Sequence, residues 1–173
     1  MTYYYDYASL KEIFRCYFIE IPDLNLIRQI GISSGLKGIM RKISWMACLD
    51  ILPSPTTPIW GNILKLNREK YEMFIQEDLT TKYDDVIEKD IERLFDEIEF
   101  FTEEKTRTAI KRICKVYSKK HPHVGYQQGI HELAGIIYYA FENEKYPQEG
   151  KEIISLSKEY EETFQIAIIS FPS

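Results

Sequence analysis

Glycine and proline are scarce in this 173-residue chain, 8 and 7 in number, and the stretches between them repeat apolar residues three and four apart. That spacing lines one face of a helix, so an all-α fold is expected. Leu10, Ile13, Phe14 and Tyr17 predict a helix over 8–19. A second, N-capped by Asp23, gathers Leu24, Ile27 and Ile30 and stops at Gly31. The third, over 36–52, is apolar nearly all round through Ile39, Met40, Ile43, Trp45, Met46, Leu49 and Ile51, until Pro53 ends it. Pro53, Pro55 and Pro58 form the clearest linker, though it need not separate two domains. A fourth helix, 59–76, offers Ile63, Leu66, Tyr71 and Phe74 for burial. Asp85 with Glu88 reads as a capping box opening a fifth that ends near Phe95. The sixth, 103–119, buries Ile110, Ile113, Cys114 and Tyr117. The seventh follows Gly125 with Ile130, Leu133, Ala134, Ile137 and Tyr138, and a last one spans 157–169. No repeat of solenoid period is present.

Charge narrows the function classes. With 22 basic and 27 acidic residues the chain carries −5, the wrong sign for a nucleic-acid binder working by phosphate attraction. Within it, residues 69–104 hold 14 acids and 4 bases, and 105–120 hold 7 bases and no acid. Two solvated faces attracting one another within the fold explain this better than a basic strip facing membrane or phosphate. Three separate cysteines, Cys16, Cys48 and Cys114, suggest neither a disulfide framework nor a zinc site and predict a reducing, cytoplasmic setting. The N-terminus lacks a basic n-region, and the longest apolar stretch, 133–141, is about half a bilayer span, so neither secretion nor a transmembrane segment is expected.

Several chemistries lack their residues. His131 and Glu132 begin like a zincin motif, but Gly135 stands where the second histidine belongs. His121 and His123 flank Pro122 in a loop with no third ligand in view. No glycine-rich phosphate cradle occurs. Cys114 lies on the apolar stripe of its helix, as an inert buried thiol does.

Three short pieces are more specific. Arg41 and Trp45 lie four apart on one helix face. Ile87, Asp90 and Arg93, at steps of three, fall within about 120° of helix surface. Tyr126, Gln127 and Gln128 place amides between Gly125 and Gly129 at a loop-to-helix junction. Singly, each has a plain explanation: Trp45 as core, Arg93 paired with Asp90 and Glu97, Gln128 as an ordinary helix-start residue. In this order and spacing they resemble the TBC domain of Rab GTPase-activating proteins, whose motifs are R-x-x-x-W, I-x-x-D-x-x-R and Y-x-Q. Leu52 and Pro53, then Leu94 and Phe95, extend the match. Phe100, Phe101 and the run from Gln128 to Leu133 look nearest to the branch associated with endosomal retromer. The resemblance covers about Ile30 to Phe171.

It implies an activator that supplies an arginine finger, Arg93, and a glutamine finger, Gln128, in trans to a Rab in its GTP form. Asp90 would orient Arg93, and Ile87 would seat their helix. Gln127 fills the variable motif position. Tyr126 and Gly129 would shape the junction, with Tyr126 contacting the partner, and Arg41 and Trp45 would support the site. GTP and Mg²⁺ belong to the Rab, so no cofactor of its own and no stand-alone enzymatic activity are expected. Peripheral recruitment to endosomal membranes is part of the same expectation. The segment from Tyr71 to Ile87 is shorter than the family commonly shows. Residues 1–30 read as helices preceding the motif region, and 31–173 as the first TBC subdomain plus one further helix, without the second subdomain. Phe164, Ile168 and Phe171 would then lack cover and favour self-association. The alternative is a catalytically inactive TBC-like binding or scaffolding module for a Rab or trafficking partner.

Overall fold

The computed structural model describes residues 23–36, 39–53 and 59–143, and among them every regular element is a helix. The expected helices over 8–19 and 157–169, the linker prolines Pro55 and Pro58, and the apolar patch of Phe164, Ile168 and Phe171 lie outside the described residues. The chain divides into two compact units, one of them Glu69–Asn143 and the other including the residues up to Arg68.

In the first unit α1 (Leu24–Ser33) packs on α2 (Ile39–Cys48). Asp23 caps α1 as expected, its carboxylate accepting from the Asn25 and Leu26 amides at 2.9 and 3.2 Å. The helix runs through Gly31 and ends at Ser33, because the left-handed turn that stops it is at Gly35, φ +75°. Of its apolar stripe only Ile27 is fully buried. Helix α2 stops well short of Pro53. Asp50 adopts φ +59°, its amide donates to the Ala47 carbonyl and the Ile51 amide to that of Met46, which together form a Schellman closure. Leu49 and Ile51 are consequently exposed, while Lys42 and Ser44 are buried beside Ile43, Met46 and Ala47. Trp60, the first residue of α3 (Trp60–Ile75), is buried, and its indole N–H donates to the Pro53 carbonyl at 2.8 Å. Leu66, expected inside, is exposed.

The second unit holds α4 (Asp84–Glu92), the short α5 (Glu99–Thr102), α6 (Glu104–Lys120) and α7 (Ile130–Asn143). Helix α6 packs against the other three. Its Ile110 and Cys114 meet Ile87, Ile91 and Leu94 from α4 and its end, Phe101 from α5, and Tyr126. Each large side chain so buried contributes about 1.5–3 kcal/mol. Gly135 lets α7 approach closely, since a Cβ there would stand 3.2 Å from Phe101 and 3.3 Å from Leu94. The acidic and basic segments do face each other: Glu88 pairs with Lys111 and Asp84 with Lys115, both at 2.9 Å.

Three local expectations shift. Helix α4 opens at Asp84 after a turn over 81–84, with Tyr83 at the N-cap and no side-chain cap, instead of through a capping box of Asp85 and Glu88. The Thr81 hydroxyl accepts from the Tyr83 amide, and the Asp84 carboxylate accepts from the Thr81 amide at 3.1 Å. Glu88 is drawn across to α6. Helix α4 also ends at Glu92, before Phe95. In α7 the core-facing stripe is His131, Ala134, Gly135 and Tyr138, so Leu133 is 61% exposed, and Tyr117 of α6 is likewise at the surface.

Candidate functional site

Arg93 stands where α4 ends. It occupies the C-cap position, and two residues later Phe95 takes φ +40°, a left-handed conformation rare for an aromatic residue. Phe95 is held there by its ring on Phe101, centroids 5.0 Å apart. A cation suits this helix end, where carbonyls carry partial negative charge. The Arg93 Nε–H donates to the Lys89 carbonyl at 3.1 Å and one Nη2–H to Asp90 Oδ1 at 3.3 Å. Of five guanidinium donors, three remain directed at solvent. The side chain is 73% exposed, and the carboxylate that anchors it only 6%.

Asp90 is the hinge of the arrangement. Its second oxygen, Oδ2, accepts from the Tyr126 hydroxyl at 2.9 Å, and that hydroxyl is also 2.8 Å from His131 Nδ1. Burial, followed by the bond to Asp90, pushes the Tyr126 phenol up from its ordinary value, so it stays a neutral donor. Cys114 lies in the same core, fully buried, its thiol pushed up to about 12 by desolvation and then by Asp90. It is inert as a nucleophile. Ile87 is fully buried one turn before Asp90 and fixes that face of α4 inward.

Tyr126 leads into the second segment of interest. Gly125 has φ +68° and sits against Tyr83, whose hydroxyl an added Cβ would overlap. Gly129 has φ +96°, and its carbonyl accepts from the Leu133 amide at the start of α7. Between them Gln127 donates to the Val124 carbonyl at 3.0 Å, whereas Gln128 is exposed and makes no side-chain hydrogen bond among the described residues. The bond from Tyr126 to Asp90 thus ties the strand of chain bearing Gln128 to the helix end bearing Arg93. Three of the sequence-selected residues, Asp90, Arg93 and Tyr126, form one connected cluster. Tyr126, expected to face the partner, is only 5% exposed, with its hydroxyl turned inward onto Asp90.

Arg41 and Trp45 belong to the first unit, both half-buried, with the Arg41 Nε–H donating to the Leu36 carbonyl at 3.1 Å. Arg93 pairs with Asp90, and no ion pair to Glu97 forms. His131, set aside at the sequence level as a failed metal motif, is a member of the buried cluster. Its position three and four residues before Ala134 and Gly135 was the available signal. Among the described residues no group of three His, Cys, Asp or Glu is gathered as for a metal, and no helix is long and apolar enough to cross a membrane.

The order of these motifs along a helical chain has a counterpart among known proteins. Residues 39–167 match the family described as the Rab-GTPase-TBC domain. The chain belongs to that family. It is also 25% identical over 165 residues to the TBC1 domain family member 5 homolog B of Dictyostelium discoideum, a match covering 78% of this chain and 16% of that protein. The chain therefore spans about a sixth of that relative's length. No solved structure matches. Both the helix end carrying Arg93 and the junction carrying Gln128 fall inside the region matched to the TBC family.

Proposed function

We propose that this chain is a GTPase activator for a Rab-family small GTPase, with Arg93 as arginine finger and Gln128 as glutamine finger. The observation that carries the reading is Arg93: a guanidinium 73% exposed, with three free donors, yet anchored by a carboxylate that is itself buried and hydrogen-bonded.

Small GTPases hydrolyse GTP slowly because charge developing on the transferred phosphoryl group is incompletely stabilised and the attacking water is poorly held. A guanidinium stays charged at any working pH and offers a planar fork matched to phosphate oxygens. Lysine lacks that fork. Asp90 removes the entropy of orienting the side chain before the partner arrives, which is where positioning earns its rate. A carboxamide can donate to and accept from one water without titrating, which suits Gln128 to hold the nucleophile. GTP and Mg²⁺ are brought by the Rab, and this chain contributes side chains only.

The test is single-turnover hydrolysis by a panel of purified, GTP-loaded Rabs, with and without the chain, beside Arg93→Ala and Gln128→Ala. Acceleration of one or a few Rabs that disappears in both variants is expected. No acceleration across the panel, from a chain that melts cooperatively, would overturn the reading and leave a Rab-binding or scaffolding module.

A further inference from the structure

His131 is buried in the second unit, and the activator reading gives it no task. It occupies the core-facing stripe of α7, 6% exposed, with Nδ1 2.8 Å from the Tyr126 hydroxyl oxygen and 3.5 Å from Asp90 Oδ2. Its Nε2 points toward Glu132, 3.9 Å away. A proton inventory decides what Nδ1 must be. Asp90 accepts on both oxygens, from Nη2–H of Arg93 on Oδ1 and from the Tyr126 hydroxyl on Oδ2. The Tyr126 hydroxyl has a single proton, and it is directed at Asp90 Oδ2. Toward His131 the hydroxyl oxygen can therefore only accept, so Nδ1 must bear a hydrogen. The neutral Nδ1–H tautomer and the imidazolium both meet that requirement, and the Nε2–H tautomer does not.

We propose that His131, as an Nδ1–H donor, is a positioning residue for Arg93: it holds the Tyr126 proton on Asp90, and so holds the carboxylate in the orientation that presents the guanidinium. A bare Nδ1 would compete with Asp90 for the one hydroxyl proton. Oδ2 would then lose its partner, and the carboxylate could turn away from Nη2 of Arg93. The chain of donors runs from His131 through Tyr126 to Asp90, with Arg93 donating to the other oxygen. A buried polar network holds its members rigidly only when every one is satisfied.

The kinetic consequence rests on Arg93 being the finger, whereas the proton position and its effect on Arg93 do not, so the test has arms of both kinds. In the ¹⁵N-labelled full chain, a multiple-bond ¹H–¹⁵N correlation reads whether Nδ1 of His131 is protonated; a protonated Nδ1 is expected, and a bare one with the proton on Nε2 overturns the proposal. Two variants follow, each checked for cooperative melting. His131→Asn restores an N–H donor near the place of Nδ1–H, and His131→Leu removes it. The order of the Arg93 Nη2 group, the one Asp90 holds, should fall in the leucine variant and be kept in the asparagine variant; unchanged order in the leucine variant overturns the proposal. With GTP-loaded Rabs, His131→Leu should lose about 10- to 100-fold of the acceleration at unchanged KM, and His131→Asn should stay within about 3-fold of the parent. Equal loss in both variants overturns positioning in favour of a packing role. If the parent chain accelerates no Rab, the activator reading fails alone, and the two spectroscopic arms still decide the role of His131.

Discussion

Helix α4 uses carboxylates on two of its faces to different effect. On one, Asp84 and Glu88 reach Lys115 and Lys111 of α6 at 2.9 Å in partly exposed pairs. On the other, Asp90 is buried, with one oxygen on Arg93 and the other on Tyr126. Exposed pairs gain little, because water and salt screen them and long side chains must be ordered to form them. A buried carboxylate tolerates no such looseness, since each unpaired oxygen carries the full penalty of lost hydration. The first face serves to dock two helices of opposite charge; the second holds one cation at a defined place on the surface.

The largest effect that would break this contrast is at Arg93. If it is the finger, Arg93→Ala lowers single-turnover acceleration by about 10³–10⁵-fold, or about 4–7 kcal/mol of barrier. Because it also unpairs the buried Asp90 Oδ1, the variant should lose about 1–3 kcal/mol in urea unfolding, less than the loss in barrier. Equal losses in rate and stability would contradict the division of labour.

Gly125→Ala tests the frame behind Tyr126. A left-handed alanine costs about 1–2 kcal/mol, and the overlap with Tyr83 adds about 1–3. A stability loss of about 2–5 kcal/mol is expected by denaturant unfolding, with loss of activation as Tyr126 is displaced from Asp90. A loss of only about 1–2 kcal/mol, the backbone cost alone, would show that Tyr83 moves aside freely.

The comparison is sharpened by two substitutions on the one helix. Asp90→Ala leaves the buried Tyr126 hydroxyl without its acceptor and should cost about 1–3 kcal/mol. Glu88→Ala removes only its partly exposed pair with Lys111 and should cost at most about 1 kcal/mol. Chemical denaturation of both variants measures the difference, and equal losses would erase the distinction between the faces.

Acid gives the smallest effect. Burial raises the Asp84 carboxyl, but hydrogen bonds from Lys115 and Thr81 outweigh it and hold the group below its ordinary 3.8. A group depressed in the folded state stabilises above its unfolded value and loses that contribution as pH falls through the folded one. The advantage of the parent over Asp84→Asn should thus be present at neutral pH and fade below about pH 4. A pH series of urea midpoints reads it.

Much of this was legible along the chain. Spacing of three and four marked every described helix but the one-turn α5, Asp23 capped where an N-cap belongs, and the opposed charges of 69–104 and 105–120 do meet as ion pairs. The motif residues Asp90 and Arg93 lie three apart on one helix and meet as that spacing requires. Errors gathered where several local solutions compete. Asp85 is not an N-cap because the turn over 81–84 starts the helix already at Asp84, and Glu88 is held by Lys111, twenty-three residues away. Asp50 stops α2 before Pro53 can, since a left-handed aspartate is tolerable and lets Ile51 close the helix.

Helical class, charge complementarity and the motif spacing follow from the sequence alone, because periodicity and composition are local properties of a chain. Which of two adjacent stripes of α7 faces inward, and therefore that His131 is buried beside Tyr126 and Asp90, was decided only by packing. An apolar helix with small residues on more than one side fits its neighbours in more than one rotation, and the choice belongs to the surface of α4 and α6 that it must cover.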